Sequence, residues 1–458
     1  MITSSTPTPL DTADIPRMEH SRLRRRMLYG LWGPDLAERA KRAMGLIRAD
    51  AIGEVDLSGN ALSSTSSAGA ALYDRTPMVT GATPEAAQAM TGILRRAGYW
   101  PMMQRGQRDL LALRELPIRI DVTTPEGDAL PEVRYRPAWP DLMHAVPDAE
   151  RPERPAQVRE AMLRTDPETG QAVWTWDHWS LVGEPVHQIL DERGADVSVK
   201  FGLPAGGLRG ESYPWWLGEQ PILPYVWHHA ARGGQLWDSW FGMEIVEGTL
   251  NIGVLWTFFA HCVRNASWPQ RWILNAKPAG GETVGERQTV TADPAVVLQL
   301  VPATDEQGVQ PSAGQWASGA DPQALAEAIG VYERRVAAFA GLDPSDVQRV
   351  SGDPRSGYAI SISREGKREA QRRYAPVMEI TDTEILRTTA AMVNSALDLD
   401  TLPLEGWGVE YQALPPSADE LAATRDHALA LLQAGLIDQP EARRLLGLPP
   451  AAGAPNAA

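Results

Sequence analysis

The spacing of apolar and polar residues changes along the chain, and each stretch predicts a helix or a strand. In the first part of the chain apolar positions recur every three or four residues. This spacing predicts helices over 35–48, 83–101 and about 102–115, whereas the small and polar residues 58–72 predict a loop. Thr83 can cap the second helix, with Pro84 in its first turn, and Pro101 is expected to end or kink it.

Between residues 117 and 201 the period of the pattern changes to two. Ile118, Ile120 and Val122 alternate with Arg119 and Asp121, as in a strand with one buried face. Turn-forming residues separate further predicted strands, which lie at 133–136, 157–163, 172–181, 186–190 and 197–201. The predicted class is therefore α+β, with mostly antiparallel strands.

Long helical patterns dominate the second half of the chain. They predict helices over 235–264, 321–341 and 356–397, with strand-like segments at 271–274 and 296–301 between the first two. The first helix is apolar nearly all round at its far end, which indicates burial on several sides. Gly341 is expected to end the second helix. Pro376 lies inside the third, where a proline costs about 3 kcal/mol and removes a backbone bond, so a kink or two consecutive helices are expected.

The C-terminal region predicts two short helices with clear start and stop signals. Ser417-Ala418-Asp419-Glu420 is a capping box, and Gly435 is expected to end the helix that it starts. Asp438-Gln439-Pro440-Glu441 is expected to cap the second helix, which ends at Gly447, and residues 451–458 are expected to be disordered. At the other end, residues 1–20 are expected to form a loose arm.

Composition limits the class of protein. With 458 residues, 43% hydrophobic and 22% charged, the chain is expected to be a folded soluble protein of about three domains. Cys262 is the only cysteine, so no intramolecular disulfide forms. The polar N-terminus lacks a secretory signal, and the apolar stretch 250–263 is too short to cross a bilayer, so we expect synthesis in the cytoplasm and no membrane. The net charge of −15 predicts that the chain as a whole repels DNA.

A search for chemical motifs predicts no catalytic, cofactor or metal site. No P-loop is present, which counts against a packaging ATPase, and the dinucleotide-binding glycine pattern of Rossmann folds is also absent. Side chains of the pair His228-His229 project in different directions, so a polar turn is favoured over a metal site. Asp343, Asp346 and Asp353 do not have the spacing of a calcium loop, so cap and turn roles are favoured.

Two clusters have functional and structural interpretations. Tryptophans can stack on sugars or bases, but a core or subunit-interface role is favoured for the clusters Trp174, Trp176, Trp179, Trp215 and Trp216. The basic run consists of Arg22, Arg24, Arg25 and Arg26. It is able to meet DNA phosphates or an acidic neighbour, but a solvated face is favoured.

The order of these elements resembles the portal protein family of tailed bacteriophages. In that family a helix enters a small insertion, a second helix leaves it, and a loop leads into a long spine helix. The resemblance is supported by Ser356-Gly357-Tyr358-Ala359 at the start of the spine, by Leu446-Gly447-Leu448-Pro449-Pro450 near the C-terminus, and by Tyr135-Arg136-Pro137 upstream. It covers about residues 220–450.

The resemblance implies a division of the chain into named parts. They are an N-terminal arm (1–60), an α/β wing (61–234), a stem of two helices (235–264 and 321–341), a β-rich clip (265–320), a tunnel loop (342–355), a kinked spine helix with a return to the wing (356–410), a helical crown (411–450) and a disordered tail (451–458).

The resemblance also implies a function that is not enzymatic. Copies of the chain would form a ring, typically a dodecamer, at the portal vertex of the capsid in the virion, in contact with the major capsid protein. Double-stranded DNA would pass through it during packaging and ejection, and terminase and then the head-to-tail adaptor would dock on it. The candidate DNA-channel residues are Gln348, Arg349 and Arg355. The alternatives are another capsid or connector protein, or a Trp-rich carbohydrate-active hydrolase with a carboxylate of raised pKa in a deep pocket.

Overall fold

The structure is a computed structural model of the chain. It describes residues 11–45, 53–123, 131–210, 213–231, 233–238, 242–267, 271–274, 276–278, 300–302, 312–315, 321–342, 357–397, 401–412 and 418–446. These residues form an α+β protein, as predicted. The chain divides into two compact units. Unit 1 comprises Met1–Tyr29, Leu62–Met243 and Ala337–Ala458, and unit 2 comprises Gly30–Ala61 and Glu244–Val336.

The described helices and strands are numbered in chain order. The helices are α1 (Ile15–Leu28), α2 (Gly33–Met44), α3 (Ala61–Gly69), α4 (Pro84–Arg96), α5 (Tyr99–Leu113), α6 (Met243–Ser267), α7 (Pro322–Phe339), α8 (Gly357–Leu397), α9 (Ala418–Gln433) and α10 (Gln439–Leu445). The strands are β1 (Met78–Thr80), β2 (Glu115–Thr123), β3 (Glu132–Pro137), β4 (Met143–Pro147), β5 (Pro155–Thr165), β6 (Ala172–Ser180), β7 (Val186–Leu190), β8 (Trp215–Leu217), β9 (Gln220–Ile222), β10 (Tyr225–His229), β11 (Arg271–Leu274), β12 (Ala276–Pro278), β13 (Leu300–Pro302), β14 (Ser312–Gln315) and β15 (Gly408–Glu410).

Two antiparallel sheets form the body of unit 1. One has the strand order β10-β2-β3 and the other β4-β5-β6-β7. The predicted alternation in β2 places Ile118 and Ile120 in a core that also contains Leu94 of α4, Met103 of α5 and Ile385 of α8. The shorter pairs β1–β15 and β8–β9 are also antiparallel.

Start and stop signals in the sequence are largely confirmed. The Thr83 hydroxyl accepts a hydrogen bond from Ala86 N at 3.2 Å at the start of α4. Gly98, with φ of 65°, separates α4 from α5, and Pro101 lies in the first turn of α5 instead of ending α4. Near the C-terminus, Asp438 and Glu441 exchange hydrogen bonds between their side chains and backbone amides, at 2.8 and 3.2 Å, and start α10.

Three predicted segments differ from the structure in secondary structure. The expected loop 58–72 contains α3, in which serine and threonine hydroxyls bond back to helix carbonyls, as Ser66 does to Leu62 O at 2.7 Å. The expected strand 197–201 is a 3-10 turn (Ser198–Phe201), and at its start the Asp196 carboxylate accepts a hydrogen bond from Ser198 N at 2.9 Å. The last part of the expected loose arm, residues 15–20, belongs to helix α1, which buries Met18.

The helix predicted from residue 235 begins at Met243. Trp237, which the apolar pattern places on that helix, lies upstream of it. Its indole donates to Ala145 O at 3.3 Å, and the Arg17 guanidinium stacks on its ring at 3.7 Å. These contacts with other elements outweigh local helix propensity at this point of the chain.

Helix α8 continues without a break through Pro376. The alternative of two consecutive helices is therefore wrong. Pro376 is exposed, so the backbone carbonyl that loses its partner lies on the side of the helix that faces solvent.

Unit 2 contains α2, nearly all of α6, most of α7, and two short ladders between α6 and α7. Strand β11 pairs with β14 and β12 with β13, both antiparallel. The β12–β13 pair is nested inside the β11–β14 pair along the chain, so the insertion leaves and returns as a hairpin. The predicted strand 271–274 is confirmed, and the one predicted at 296–301 is observed at Leu300–Pro302.

Candidate functional site

The two helices that flank the insertion pack side by side within unit 2. Ile252 of α6 belongs to one buried cluster with Ile329 and Val336 of α7. Gly248, early in α6, lies opposite Val336, near the end of α7. An early residue of one helix therefore meets a late residue of the other, so α6 and α7 run antiparallel.

Glycines bring the helices of unit 2 close together. A Cβ atom at Gly248 would lie 2.3 Å from Val336 Cγ2. At Gly253 it would lie 2.8 Å from Trp32 and 2.9 Å from Leu36, which belong to the segment around α2. Any larger residue at these positions requires the neighbouring side chains to move.

Replacing Gly248 with alanine is expected to lower the free energy of unfolding by about 1–2 kcal/mol, since overpacking against buried Val336 exceeds the gain in helix propensity. Gly92→Ala in α4 is the matched control, because its Cβ would meet only Arg96 Nη1 at 3.5 Å, and it is expected to stabilise by about 0.5–1 kcal/mol. Thermal unfolding of both variants measures the difference. Equal effects of the two substitutions would contradict the close packing of α6 on α7.

The predicted DNA-channel residues lie outside the described residues. This applies to Gln348, Arg349 and Arg355, and also to Asp343, Asp346 and Asp353. The structure describes the elements on both sides of the predicted tunnel loop. Helix α7 is followed by Gly341, whose φ of 67° is left-handed as predicted, and α8 begins at Gly357. Most of the predicted clip likewise lies outside the described residues.

Helix α8 carries a buried carboxylate that the sequence analysis did not single out. Asp382 accepts hydrogen bonds from Tyr73 at 2.8 Å, Tyr99 at 2.6 Å and Tyr411 at 2.6 Å, and His228 Nε2 lies 3.1 Å away. Burial and the nearby carboxylate raise the pKa of Tyr73 and Tyr99, so both hydroxyls remain protonated donors. This Asp382 cluster ties α8 to α5, β10 and the strand region near β15.

A periodic signal for the Asp382 cluster is present in the sequence. Asp382 lies four residues after Met378 and three before Ile385, on the apolar stripe of α8. A charged residue on such a stripe requires partners, because an unpaired buried charge is costly. Three of the four partners are distant in sequence, so the pattern alone does not identify them.

A second buried polar network joins the two sheets of unit 1. Glu160 accepts from Arg136 and from the Tyr225 hydroxyl, the latter at 2.8 Å. Asp177 accepts from Arg119 at 2.7 Å and Arg164 at 2.8 Å. Burial opposes ionisation of Asp177, but its contacts with His187 and these arginines hold its pKa far below the usual range. These two buried carboxylates are therefore ion-pair partners of arginines from both sheets.

The basic run in α1 meets an acidic neighbour within the chain. Arg25 forms an ion pair with buried Asp141 at 2.8 Å, and Arg22 lies 4.0 Å from the same carboxylate. Arg24 is 1% exposed and donates to Ala112 O at 3.0 Å. The interpretation of this run as a solvated face is therefore wrong for Arg24, and the acidic partner is Asp141.

The pair His228-His229 lies on β10, with both residues buried. The expected polar turn is wrong, because the β10–β2 pairing holds these residues in a strand. Within the part of the chain that the structure describes, no group of His, Cys, Asp and Glu side chains has the arrangement to hold a metal ion.

The favoured core role of the tryptophans is confirmed for two of them. Trp176 is fully buried with Met18 and Leu190, and Trp179 stacks on His187 at 3.5 Å in a separate cluster. Trp216 of β8 is 52% exposed.

The cavities give no support to the hydrolase alternative. Three cavities in the described part of the chain have volumes of about 40, 670 and 680 Å³, and the carboxylates that line them are Glu153, Glu384, Glu132 and Glu85. The carboxylate with a pKa raised to about 7 by burial is Glu115, which lines none of these three. The structure therefore does not place a carboxylate of raised pKa in these cavities.

By length and composition, residues Met243–Arg264 are apolar enough to cross a membrane, with a mean hydropathy of 1.2. The expectation that the stretch 250–263 is too short to cross a bilayer therefore does not hold for the helix that contains it. Ile252, Val254 and Cys262 of this helix are buried within the folded chain. Burial in the core of unit 2 explains why these residues are apolar without a membrane. That the protein has no membrane partner stays a prediction.

Comparisons with known proteins give matches in structure alone. No protein-family model matches the chain, and none of the curated proteins matches it in sequence. A chain from the virion of a native gene transfer agent particle matches with 15% identity and a TM-score of 0.39, covering 86% of this chain and 91% of that one. A chain from the neck of an empty gene transfer agent particle matches with 14% identity and a TM-score of 0.41, covering 88% and 94%. At these values the likeness carries no argument about function.

Proposed function

We propose that this chain is a portal-type subunit, which forms a ring at one vertex of a viral capsid. Double-stranded DNA passes through the ring during packaging and ejection, and terminase and a head-to-tail adaptor dock on it. The observation that carries the proposal is the antiparallel contact of α6 with α7, from whose shared end the nested ladders extend. This is the helix, insertion, helix order on which the resemblance to portal proteins rests.

The exposed apolar residues of unit 2 support assembly into a ring. Val331 and Tyr332 of α7 are 47% and 36% exposed, and Val263 of α6 is 39% exposed. In a ring each subunit presents the same two faces to its neighbours, so a second copy would cover apolar positions that one copy leaves in solvent.

The charge of the chain supports a conduit more than a stable DNA complex. Each contact between a basic side chain and a phosphate adds salt-dependent affinity, which would hold DNA in place. A ring of chains that each carry −15 repels the duplex and lets it slide. We propose that Gln348, Arg349 and Arg355 supply the few polar and positive groups at the narrowest point.

Electron microscopy of the purified full-length protein tests the proposal. We expect rings with an axial hole, twelve copies being the number that the resemblance implies. A compact monomer at high protein concentration, or a closed assembly without a central opening, would overturn it.

Deleting residues 345–353 is expected to leave ring assembly intact and to reduce the DNA content of particles, because the deletion removes the predicted constriction and two of its candidate residues. Deletion of 451–458 is the matched control and should change neither. The two readouts are particle images and encapsidated DNA per particle. Loss of rings in the first variant would assign that loop to subunit structure instead of to the conduit.

The main competing proposal is a connector or capsid protein without a clip. It predicts that the 265–320 insertion packs into the body of the subunit. Cross-linking of assembled rings distinguishes the two, since a clip joins neighbouring copies at residues of the insertion.

A further inference from the structure

Strand β3 forms one edge of the three-stranded sheet in unit 1. The order β10-β2-β3 places β2 on its inner side, and within the described residues no strand pairs with its outer side. An edge strand presents unpaired backbone groups that another extended segment is able to bind.

Two hydrogen bonds fix the direction of the backbone groups in β2. Ile120 N donates at 2.8 Å to Pro224 O, on the side of β10. Pro117 O accepts at 2.8 Å from Ala138 N, which directly follows β3. Since backbone groups alternate in direction along a strand, the odd-numbered residues of β2 face β3.

The register then identifies the groups of β3 that face outward. The odd-numbered residues of β2 are paired across the ladder as Arg119 with Arg136, Asp121 with Arg134 and Thr123 with Glu132. The even-numbered residues of β3 therefore bond inward. The N–H and C=O groups of Val133 and Tyr135 point away from β2, toward the free edge.

An open groove runs along this edge. Its volume is about 670 Å³, and it is lined by Ile93, Arg96, Ala97, Pro131, Glu132, Val133, Arg134 and Tyr135. The prolines at the two ends of β3, Pro131 and Pro137, lack an N–H. They restrict an added strand to a short register centred on Val133 and Tyr135.

The walls of the groove differ in chemistry. Val133 and Tyr135 send their side chains into the core, where Ile93 and Ala97 also pack. The side chain of Arg134 lies on the opposite face of β3 and is exposed. A strand added here would place alternate side chains beside Ile93 and beside Arg134.

We propose that this groove docks an extended acidic segment of a partner protein as an added β-strand. The outward groups of Val133 and Tyr135 form the backbone hydrogen bonds. Arg134 pairs with Glu132 at 2.9 Å, and with Arg96 the lining of the groove keeps one positive charge in excess, so it favours an acidic segment with apolar side chains beside Ile93. The inference does not depend on the portal proposal.

Hydrogen exchange of the full-length protein tests the backbone part of the proposal. The probe is a capped seven-residue peptide that alternates glutamate with valine, and a lysine–valine peptide is its control. We expect the acidic peptide to slow exchange of the Val133 and Tyr135 amides and to leave that of Arg134, already bonded to β2, unchanged. Peptide binding that does not slow exchange at Val133 and Tyr135, or equal binding of the lysine peptide, would overturn the proposal. Protection of both amides without peptide, increasing with protein concentration, would overturn it in favour of a second copy.

Charge reversal on the exposed face tests the specificity. Arg134→Glu is expected to weaken binding of the acidic peptide by about ten-fold in fluorescence anisotropy and to strengthen binding of the lysine peptide. Arg95→Glu makes the same change at an exposed position of α4 that does not line the groove, and should leave both affinities unchanged. If the two variants behave alike, Arg134 does not read the charge of the partner.

Discussion

Replacing Asp382 with alanine is expected to lower the free energy of unfolding by about 4 kcal/mol. The carboxylate accepts from three tyrosine hydroxyls at 2.6–2.8 Å and lies 3.1 Å from His228 Nε2, and Asp382 is fully buried. Its removal leaves these donors without an acceptor away from water, and each unsatisfied buried group costs about 1–3 kcal/mol. Because the cluster joins separate elements, the whole of unit 1 should lose stability.

Thermal and denaturant unfolding measure this loss. Glu379→Ala is the matched control, because it removes a carboxylate from an exposed position of the same helix, and surface changes cost less than about 0.5 kcal/mol. Asp382→Asn should fall between the two, since it keeps one acceptor oxygen. A D382A protein as stable as E379A would show that the tyrosines find other partners and that the cluster does not hold α8.

Replacing Glu115 with glutamine is expected to remove a pH-dependent loss of stability. Burial raises the pKa of Glu115 from 4.5 to about 7, against the opposing effect of Arg17 and Arg24. A carboxyl group whose pKa is higher in the folded state holds its proton more tightly there. Its contribution to the free energy of unfolding is therefore full below pH 4.5 and is lost as pH rises through 7. The shift of about 2.5 pKa units corresponds to roughly 3 kcal/mol.

The difference in unfolding free energy between wild type and E115Q, measured from pH 4.5 to 8, isolates this group. Another buried carboxylate, Asp141, titrates in both proteins and cancels. Glutamine keeps an oxygen for the bond from Asp238 N, which is 3.1 Å in the wild type. We expect the free energy of unfolding of E115Q to rise relative to that of the wild type with increasing pH. A difference that does not depend on pH would refute the raised pKa of Glu115.

Local sequence signals predicted many of the elements. Capping residues located α4 and α10, and the period of two located β2, β5, β6 and β7. These signals act over a few residues, and the tertiary structure agrees with them. The helical stripe of α8 also predicted its buried face, including Met378 and Ile385.

The remaining features depend on contacts between residues that are distant in sequence. The start of α6 at Met243 follows from the packing of Trp237 on Arg17 and Ala145, which no local pattern contains. The basic run of α1 gave no indication of its partner Asp141, more than 100 residues away. The free edge of β3 follows only from strand order, which the sequence does not specify.

The position of the Asp382 cluster along α8 has a mechanical consequence. At 1.5 Å per residue, Asp382 lies about 38 Å from the first residue of the helix and about 23 Å from the last. The cluster thus anchors α8 off-centre, and a small tilt of the helix about it would move the amino end about 1.7 times as far as the carboxyl end. The longer arm leads directly to residues 342–355, so such a tilt would be largest where we expect the passage to be narrowest.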